Sequence, residues 1–375
     1  MAGSSSIALD PRLRGDDGEG DIGMKIDQLE TPVPVIDLDR VEHNLAKMQA
    51  YCDRHGLKLR PHIKTHKLPV FARRQMELGA AGITCQKLGE AEVMADAGLT
   101  DILLSYPLIG PAKAARLAAL AKRVTMCVAV DNPMALDTAA AAAREAGAEI
   151  GVLIEFDSGG KRTGVTSVDE ALALAEAIRA ADGLRFAGLM TYPSSAETAR
   201  FVAAAKQRLG GAGIEIKTVS GGGTPNAWQQ HEIEGLTELR VGTYIYHDRA
   251  TVGAGAATLD ECALHLHATV VSHPTETRAI IDAGSKSLTS DRVAPSVGEG
   301  YGLILEYPDA IIERLNEEHG ILDLSHSARK PAIGERVRVV PNHVCVVTNL
   351  HDEVVTMRGG ELIETLPVAA RGRTR

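Results

Sequence analysis

The sequence predicts an α/β chain in which a (β/α)8 TIM-type barrel is followed by a mainly antiparallel β domain. Short β-branched runs alternate with Ala-rich amphipathic stretches from Pro34 to about Tyr246. The alternation repeats about eight times over some 220 residues, which is the size and rhythm of such a barrel. Beyond about Gly253 helical stretches almost vanish and β-type runs dominate.

Taken in order, VPVIDLD (33–39) reads as a strand leading into a helix from about Arg40 to His55. KLRPHIK (58–64) reads as a strand, with a helix after it from Pro69 to Leu78. GITCQK, DILLSY, TMCVAV, EIGVLIEF, RFAGLMTY and IKTVSGGG each read as a strand, separated by helical runs such as PAKAARLAALAKR and VDEALALAEAIRAAD. ELRVGTYIY closes the series. ALHLHATVVSHPTETRAIIDAG then reads as two strands with a turn at His273-Pro274, and GERVRVVPNHVCVVTNLHDEVVTMRGGELIETLPVAA as several more, with a hairpin around Arg358-Gly359-Gly360. Residues 1–24 mix Ser, Gly, Asp and Arg without periodicity and cannot repay the entropy of ordering, so they are expected to form a mobile arm. The expected domains are this arm, a barrel over 25–252 and a β domain over 253–375, completed by residues near 31–38.

Composition narrows the function. A chain of 375 residues that is 45% hydrophobic can bury a large core and is no small binding module. A formal net charge of −9 without a long basic run excludes attraction to a nucleic-acid backbone. The five cysteines are scattered and odd in number, which points to a reducing cytoplasm and not to a disulfide framework. No stretch approaches the roughly 18 consecutive apolar residues of a membrane span, and the N-terminus has no apolar core behind a basic start.

In a barrel of this kind function concentrates at the C-terminal strand ends. The polar groups expected there are Lys64, Gln86, Asp157, Arg162, Tyr192, Ser220 to Thr224, and Arg240 to Tyr246. RPHIKTHK (60–67) crowds His62, Lys64, His66 and Lys67 together, each a candidate for chemistry. SGGGT (220–224) follows an apolar strand, so unhindered amides at Gly222 and Gly223 can form an anion nest. Gly242 and Thr243 open a second such loop on the next strand. A lysine facing a phosphate cradle points to pyridoxal 5'-phosphate, whose aldehyde needs an amine and whose phosphate needs donors. In PNHVCVV (341–347), His343 and Cys345 stand two apart on an expected strand and so project to one face. Imidazole with thiolate suits a borderline or soft divalent ion.

RPHIKTHK, GITCQKLGEAE, KRTGV, SGGGT, IDAGSKS, EEHG, PNHVC, NLHDE and the closing ARG occur in this order over about residues 30–373. In these motifs the chain resembles the D-threonine aldolase and D-serine dehydratase group of fold-type III pyridoxal phosphate enzymes, whose barrel is shared with alanine racemase. The pattern lies nearest to D-threonine aldolase-like proteins.

The resemblance implies that Lys64, and not Lys67, is the Schiff-base residue, with His62 and His66 around it. It places Arg162 near the cofactor ring oxygen, Tyr192 against the ring, and Ser220, Gly222, Gly223, Thr224, Gly242 and Thr243 in the phosphate grip, with Gln86 also among the cofactor-binding residues. Arg240, Gly242 and Tyr246 match a racemase-like R-x-G-x-x-x-Y spacing whose arginine sits against the pyridine nitrogen. An arginine there does not accept the ring proton, because its own pKa exceeds about 12. His343 and Cys345 match the group's metal pair, for Mn2+, Mg2+ or Zn2+. The chain departs from the group twice: H-V-C stands where some aldolases have H-x-D, and Tyr192-Pro193-Ser194 replaces Tyr-His-Gly.

The implied activity is metal-assisted retro-aldol cleavage of a D-β-hydroxy-α-amino acid to glycine and an aldehyde. Dehydration of D-serine or D-threo-3-hydroxyaspartate is the alternative. An amino-acid racemase is less favoured, since no second base is positioned in the β domain, and so is a non-catalytic cofactor carrier. A homodimer is expected, with no membrane or nucleic-acid partner.

Overall fold

A computed structural model describes residues 26–375. The expected N-terminal arm, 1–24, lies outside the described residues. The described residues divide into two compact units, one built from 26–47, 65–70 and 243–371, the other from 48–64, 71–242 and 372–375.

Strand β1 (Val33–Asp37) leads into helix α1 (Leu38–His55). The turn is set by Asp37, whose Oδ1 accepts from the amides of Asp39 and Arg40 at 3.0 and 3.2 Å. The barrel unit then runs β2 (Lys58–Leu59), α2 (Pro69–Glu77), β3 (Ile83–Cys85), α3 (Leu88–Asp96), β4 (Asp101–Leu104), α4 (Pro111–Ala121), β5 (Thr125–Val130) and α5 (Pro133–Ala146). It continues through β6 (Ile150–Glu155), α6 (Val168–Ala180), β7 (Leu184–Met190), α7 (Ala196–Gly211), β8 (Val219–Gly221) and β9 (Glu238–Leu239). Two of these helices show how a capping residue sets the start. Asn132 accepts from Ala135 N at 3.0 Å ahead of Pro133, and Ser167 with Glu170 forms a capping box.

All pairings in this eight-stranded sheet are parallel, in the order β2-β9-β8-β7-β6-β5-β4-β3. A parallel bridge between His62 and Thr84 joins the two ends of that order and closes the ring. KLRPHIK is therefore mostly not strand. β2 keeps two residues, Pro61 has no N–H to give a ladder, and Ile63–Thr65 turns into a 3-10 helix. Inside the barrel Leu103, Ala129, Leu153 and Met190 form an apolar layer.

The other unit holds a nine-stranded sheet. After α8 (Arg249–Gly253) come β10 (Leu264–Thr275), β11 (Arg278–Ile281), β12 (Gly302–Ile304), β13 (Ile311–Leu315), β14 (Gly320–Asp323) and β15 (Arg336–Pro341). Helix α9 (Val344–Leu350) precedes the hairpin β16 (Glu353–Arg358) and β17 (Glu361–Pro367). β1 belongs here, antiparallel to β10 and parallel to β16. The expected turn at His273-Pro274 is displaced, because β10 passes through Pro274 to Thr275. Register shifts along the β10–β11 ladder absorb the proline's missing donor. Among the described residues no helix is long and apolar enough to cross a membrane.

β10 also carries two buried imidazoles, His265 and His267, which share a face of the strand. Their Nε2 and Nδ1 atoms respectively are buried with no hydrogen-bond partner among the described residues. Burial first, then nearby arginines, lowers their pKa to about 3 and about 4. The folded values lie below the unfolded one, so the stability they contribute is complete above about pH 6.5 and is lost as pH falls toward 4. The penalty should reach on the order of 2 kcal/mol per histidine by pH 5. A urea midpoint that drops between pH 7 and 5, and drops less in His265→Leu/His267→Leu, is the expected result. A flat midpoint in the native sequence would contradict it.

Candidate active site

The 3-10 turn after β2 separates the two lysines of RPHIKTHK. Lys64 is exposed, whereas Lys67 is 6% exposed and its Nζ donates to Ala370 O at 3.3 Å. His62 is buried and organises the turn: its Nδ1 accepts from Lys64 N at 3.4 Å, and its Nε2 stands 3.0 Å from Gln86 Oε1. The Nδ1 contact requires a lone pair there, so the proton sits on Nε2 and is donated to Gln86. Gln86 in turn donates to Ser105 O at 3.3 Å. His62 and Gln86 thus fix the backbone that presents the amine, and Lys64 is left as the available nucleophile.

Beyond β8 the chain turns at Gly222 with φ +86°, and a 3-10 helix begins at Thr224. A Cβ at Gly222 would sit 2.2 Å from Leu239 Cδ1, and one at Gly223 would sit 2.7 Å from the Tyr192 ring. Both glycines are thus required by close approach, and Gly222 by its backbone angle as well. Thr224 Oγ1 is buried with no partner among the described residues, a donor held ready at the head of this turn. Ser194 Oγ takes the Gly222 amide at 2.5 Å, and a Cβ on Gly221 would strike that same oxygen. Gly223→Ala should weaken pyridoxal phosphate binding by roughly tenfold or more through displacement of Tyr192. Equilibrium dialysis reads this, and unchanged affinity would remove Gly223 from the phosphate grip.

Tyr192 is 42% exposed, and the Arg162 guanidinium carbon lies 5.0 Å from its ring centroid. Arg162 also stands 3.8 Å from Glu155, a carboxyl whose pKa burial pushes up. Arg240 is buried, donating to Ser220 Oγ at 2.8 Å and to Thr191 O at 2.9 Å. The hydroxyl of Ser220, expected in the phosphate grip, is committed to Arg240 and to Glu238.

The other unit carries the second cluster. His343 and Cys345 do not lie on a strand as expected. β15 ends at Pro341, His343 is the N-cap of α9, and Cys345 sits in its first turn. The two side chains still meet. Their hydrogen bond is the largest influence on His343, ahead of burial, and with Asp291 it lifts the imidazole pKa to about 9. Asp291 Oδ2 is 2.7 Å from His343 Nδ1. Buried Asp248, which caps α8, also accepts from Val344 N at 3.2 Å and pins the segment. Thr65, the residue after Lys64 in the chain, has its Oγ1 3.2 Å from Cys345 Sγ, and Thr243 Oγ1 lies 3.9 Å away. Tyr246 is fully buried, and that burial holds its phenol well above the usual range. Among the described residues no three His, Cys, Asp or Glu are grouped to hold a metal.

Residues 36–250 match the family described as alanine racemase, N-terminal domain, and residues 263–357 match a serine dehydratase domain. The chain is 38% identical to the D-threonine aldolase of Arthrobacter sp over 373 residues, covering 94% of this chain and 96% of that protein. The chain belongs to the D-threonine aldolase and D-serine dehydratase group of fold-type III pyridoxal phosphate enzymes. Within this group it is 35% identical to the D-threo-3-hydroxyaspartate dehydratase of Delftia sp. (strain HT23), covering 84% of this chain and 91% of that protein. The crystal structure of D-threonine aldolase from Filomicrobium marinum aligns with TM-score 0.84 at 35% identity, covering 94% of this chain and 99% of that one.

The residues present suit the group's cofactor. An exposed lysine on a fixed turn, glycines that admit no Cβ, and an unpartnered buried Thr224 hydroxyl are the amine, the close approach and the donor that pyridoxal phosphate needs. His343 and Cys345 also offer an imidazole and a thiol whose donor atoms suit a divalent ion. Asp291 on Nδ1 leaves Nε2 to ligate, the arrangement that orients metal-binding imidazoles. Asp291, Asp248 and Glu238 escaped the sequence reading. Asp291 lies in a run without periodicity, and nothing local ties it to His343, 52 positions on.

Proposed function

We propose that the protein is a pyridoxal phosphate- and divalent metal-dependent D-β-hydroxy-α-amino acid lyase that cleaves Cα–Cβ, giving glycine and an aldehyde from substrates such as D-threonine. The observation that carries this reading is the His343–Cys345–Asp291 cluster in a chain that also holds an available Lys64. The choice of aldol cleavage rests on the similarity to D-threonine aldolase across 94% of the chain. Pyridoxal phosphate supplies an electron sink for the pair left on Cα, and the ion polarises the β-hydroxyl.

The chain's own residues do the rest. With the cofactor bound, Lys64 would hold its aldehyde, and the Lys64 Nζ would be the group that returns a proton to Cα. His62 keeps the Lys64 turn fixed through Nδ1. Thr224 with the Gly223 and Gly242 amides would hold the phosphate, the Gly222 amide being taken by Ser194, and Arg240 would present N–H to the ring nitrogen without yielding a proton. His343 through Nε2 and Cys345 through Sγ would hold the ion, with Asp291 keeping the proton on Nδ1. A nitrogen and sulfur pair favours zinc over magnesium.

Dehydration is the second reading, favoured by the H-V-C pair and the similarity to the Delftia enzyme. Purified protein given D-threonine should release acetaldehyde and glycine in equal amounts. Ammonia and an oxo acid from D-serine or D-threo-3-hydroxyaspartate, without acetaldehyde from D-threonine, would select the dehydratase.

A further inference from the structure

We infer that Glu238 is a positioning residue for the cofactor ring, acting on Arg240 through the hydroxyl of Ser220. β8 and β9 pair with Ser220 opposite Glu238, and Arg240 follows Glu238 by two residues, its amide continuing the ladder to Gly221 O at 2.7 Å. Register and alternation therefore bring the three side chains to one face. Ser220 Oγ donates to Glu238 Oε1 at 2.5 Å, and Arg240 donates to Ser220 Oγ at 2.8 Å. The other carboxylate oxygen, Oε2, accepts from Arg60 Nε at 2.9 Å, and Arg60 reaches Asp101 at 2.5 Å. Burial works against the Arg60 charge, but Glu238 and Asp101 outweigh it and raise its pKa.

Arg240 differs from Arg60. Its hydrogen-bond acceptors, Ser220 Oγ and Thr191 O, are neutral, while Glu238 and Glu155 act on it at longer range. One of its two anchors therefore depends on the direction of a single hydroxyl. Ser220 has one proton, and because Glu238 takes it, only lone pairs are left for Arg240. In Glu238→Gln the side chain keeps one acceptor, and Arg60 demands it. The amide NH2 then donates to Ser220, whose proton loses its carboxylate acceptor, so at unchanged volume nothing fixes the direction in which the hydroxyl offers its remaining lone pair to Arg240. One of the two anchors of the buried Arg240 is thereby loosened.

The inference rests on the proposed reading that Arg240 faces the pyridine nitrogen. The test uses full-length protein loaded with pyridoxal phosphate labelled with 15N in the ring, for the native sequence, Glu238→Gln, Ser220→Ala and Arg240→Leu. Glu238→Gln and Ser220→Ala should both move the ring-nitrogen signal toward the protonated range and weaken cofactor binding roughly tenfold. Arg240→Leu should move the signal at least as far. If Arg240→Leu moves the signal while folded Ser220→Ala leaves it in place, the relay is overturned and the reading of Arg240 stands. If Arg240→Leu leaves it in place, the reading of Arg240 falls and the relay with it. Should Glu238→Gln fail to fold because Arg60 is stranded, Ser220→Ala, which leaves the Arg60–Glu238 pair whole, still decides.

Discussion

Lys64→Ala is expected to remove the absorbance band that pyridoxal phosphate acquires when a lysine holds its aldehyde, and to lower lyase turnover by roughly a thousandfold or more. Lys64 presents an exposed amine on a turn that His62 and Gln86 brace. Lys67 is only three positions away and is a different kind of residue: it is buried, has φ +58°, and is tied to Ala370 O. Lys67→Ala should therefore lower the melting temperature, because it orphans a buried carbonyl, while keeping the cofactor band. The two variants answer opposite questions, so spectra and melting curves together suffice. Loss of the band in folded Lys67→Ala with retention in Lys64→Ala would reverse the assignment.

Removal of the ion should separate chemistry from cofactor attachment. Chelation, or His343→Ala combined with Cys345→Ala, is expected to cut Cα–Cβ cleavage by roughly a hundredfold or more and to leave the cofactor band intact. Asp291→Asn, which keeps the shape but changes what faces Nδ1, should weaken metal binding by roughly 10- to 100-fold. Cys345→Asp exchanges a soft donor for a hard one and should move preference from zinc toward manganese or magnesium. Full turnover in metal-stripped protein would mean that the pair only packs α9 and that the hydroxyl is activated by another group.

The architecture was legible because barrel periodicity is local. An amphipathic helix such as VDEALALAEAIRA announces itself in thirteen residues, and its Ser167–Glu170 box marks where it starts. What the pattern could not show was how short the strands are. β2 and β9 have two residues each, because a closed barrel needs only brief parallel contact. H-V-C was misplaced on a strand because PNHVCVV is β-branched and apolar. The ladder stops at Pro341, and α9 wins over propensity with Asp248 anchoring its first amide. Residues named by motif were within reach of sequence, whereas Glu238 and Asp291 act through partners that only folding brings near.

The place of β1 in its sheet has a consequence for synthesis. β1 is flanked on both sides, by β10 at residues 264–267 and by β16 at 355–357. On a ribosome adding about 5–20 residues per second, Val33–Asp37 emerges roughly ten seconds to a minute before either neighbour exists. During that interval the nascent chain carries an apolar strand with two open edges, the kind of segment that pairs with the wrong molecule. Translation speed and chaperone supply should then govern the yield of native protein more than its final stability does. Moving residues 26–37 to the C-terminus by circular permutation would shorten the wait.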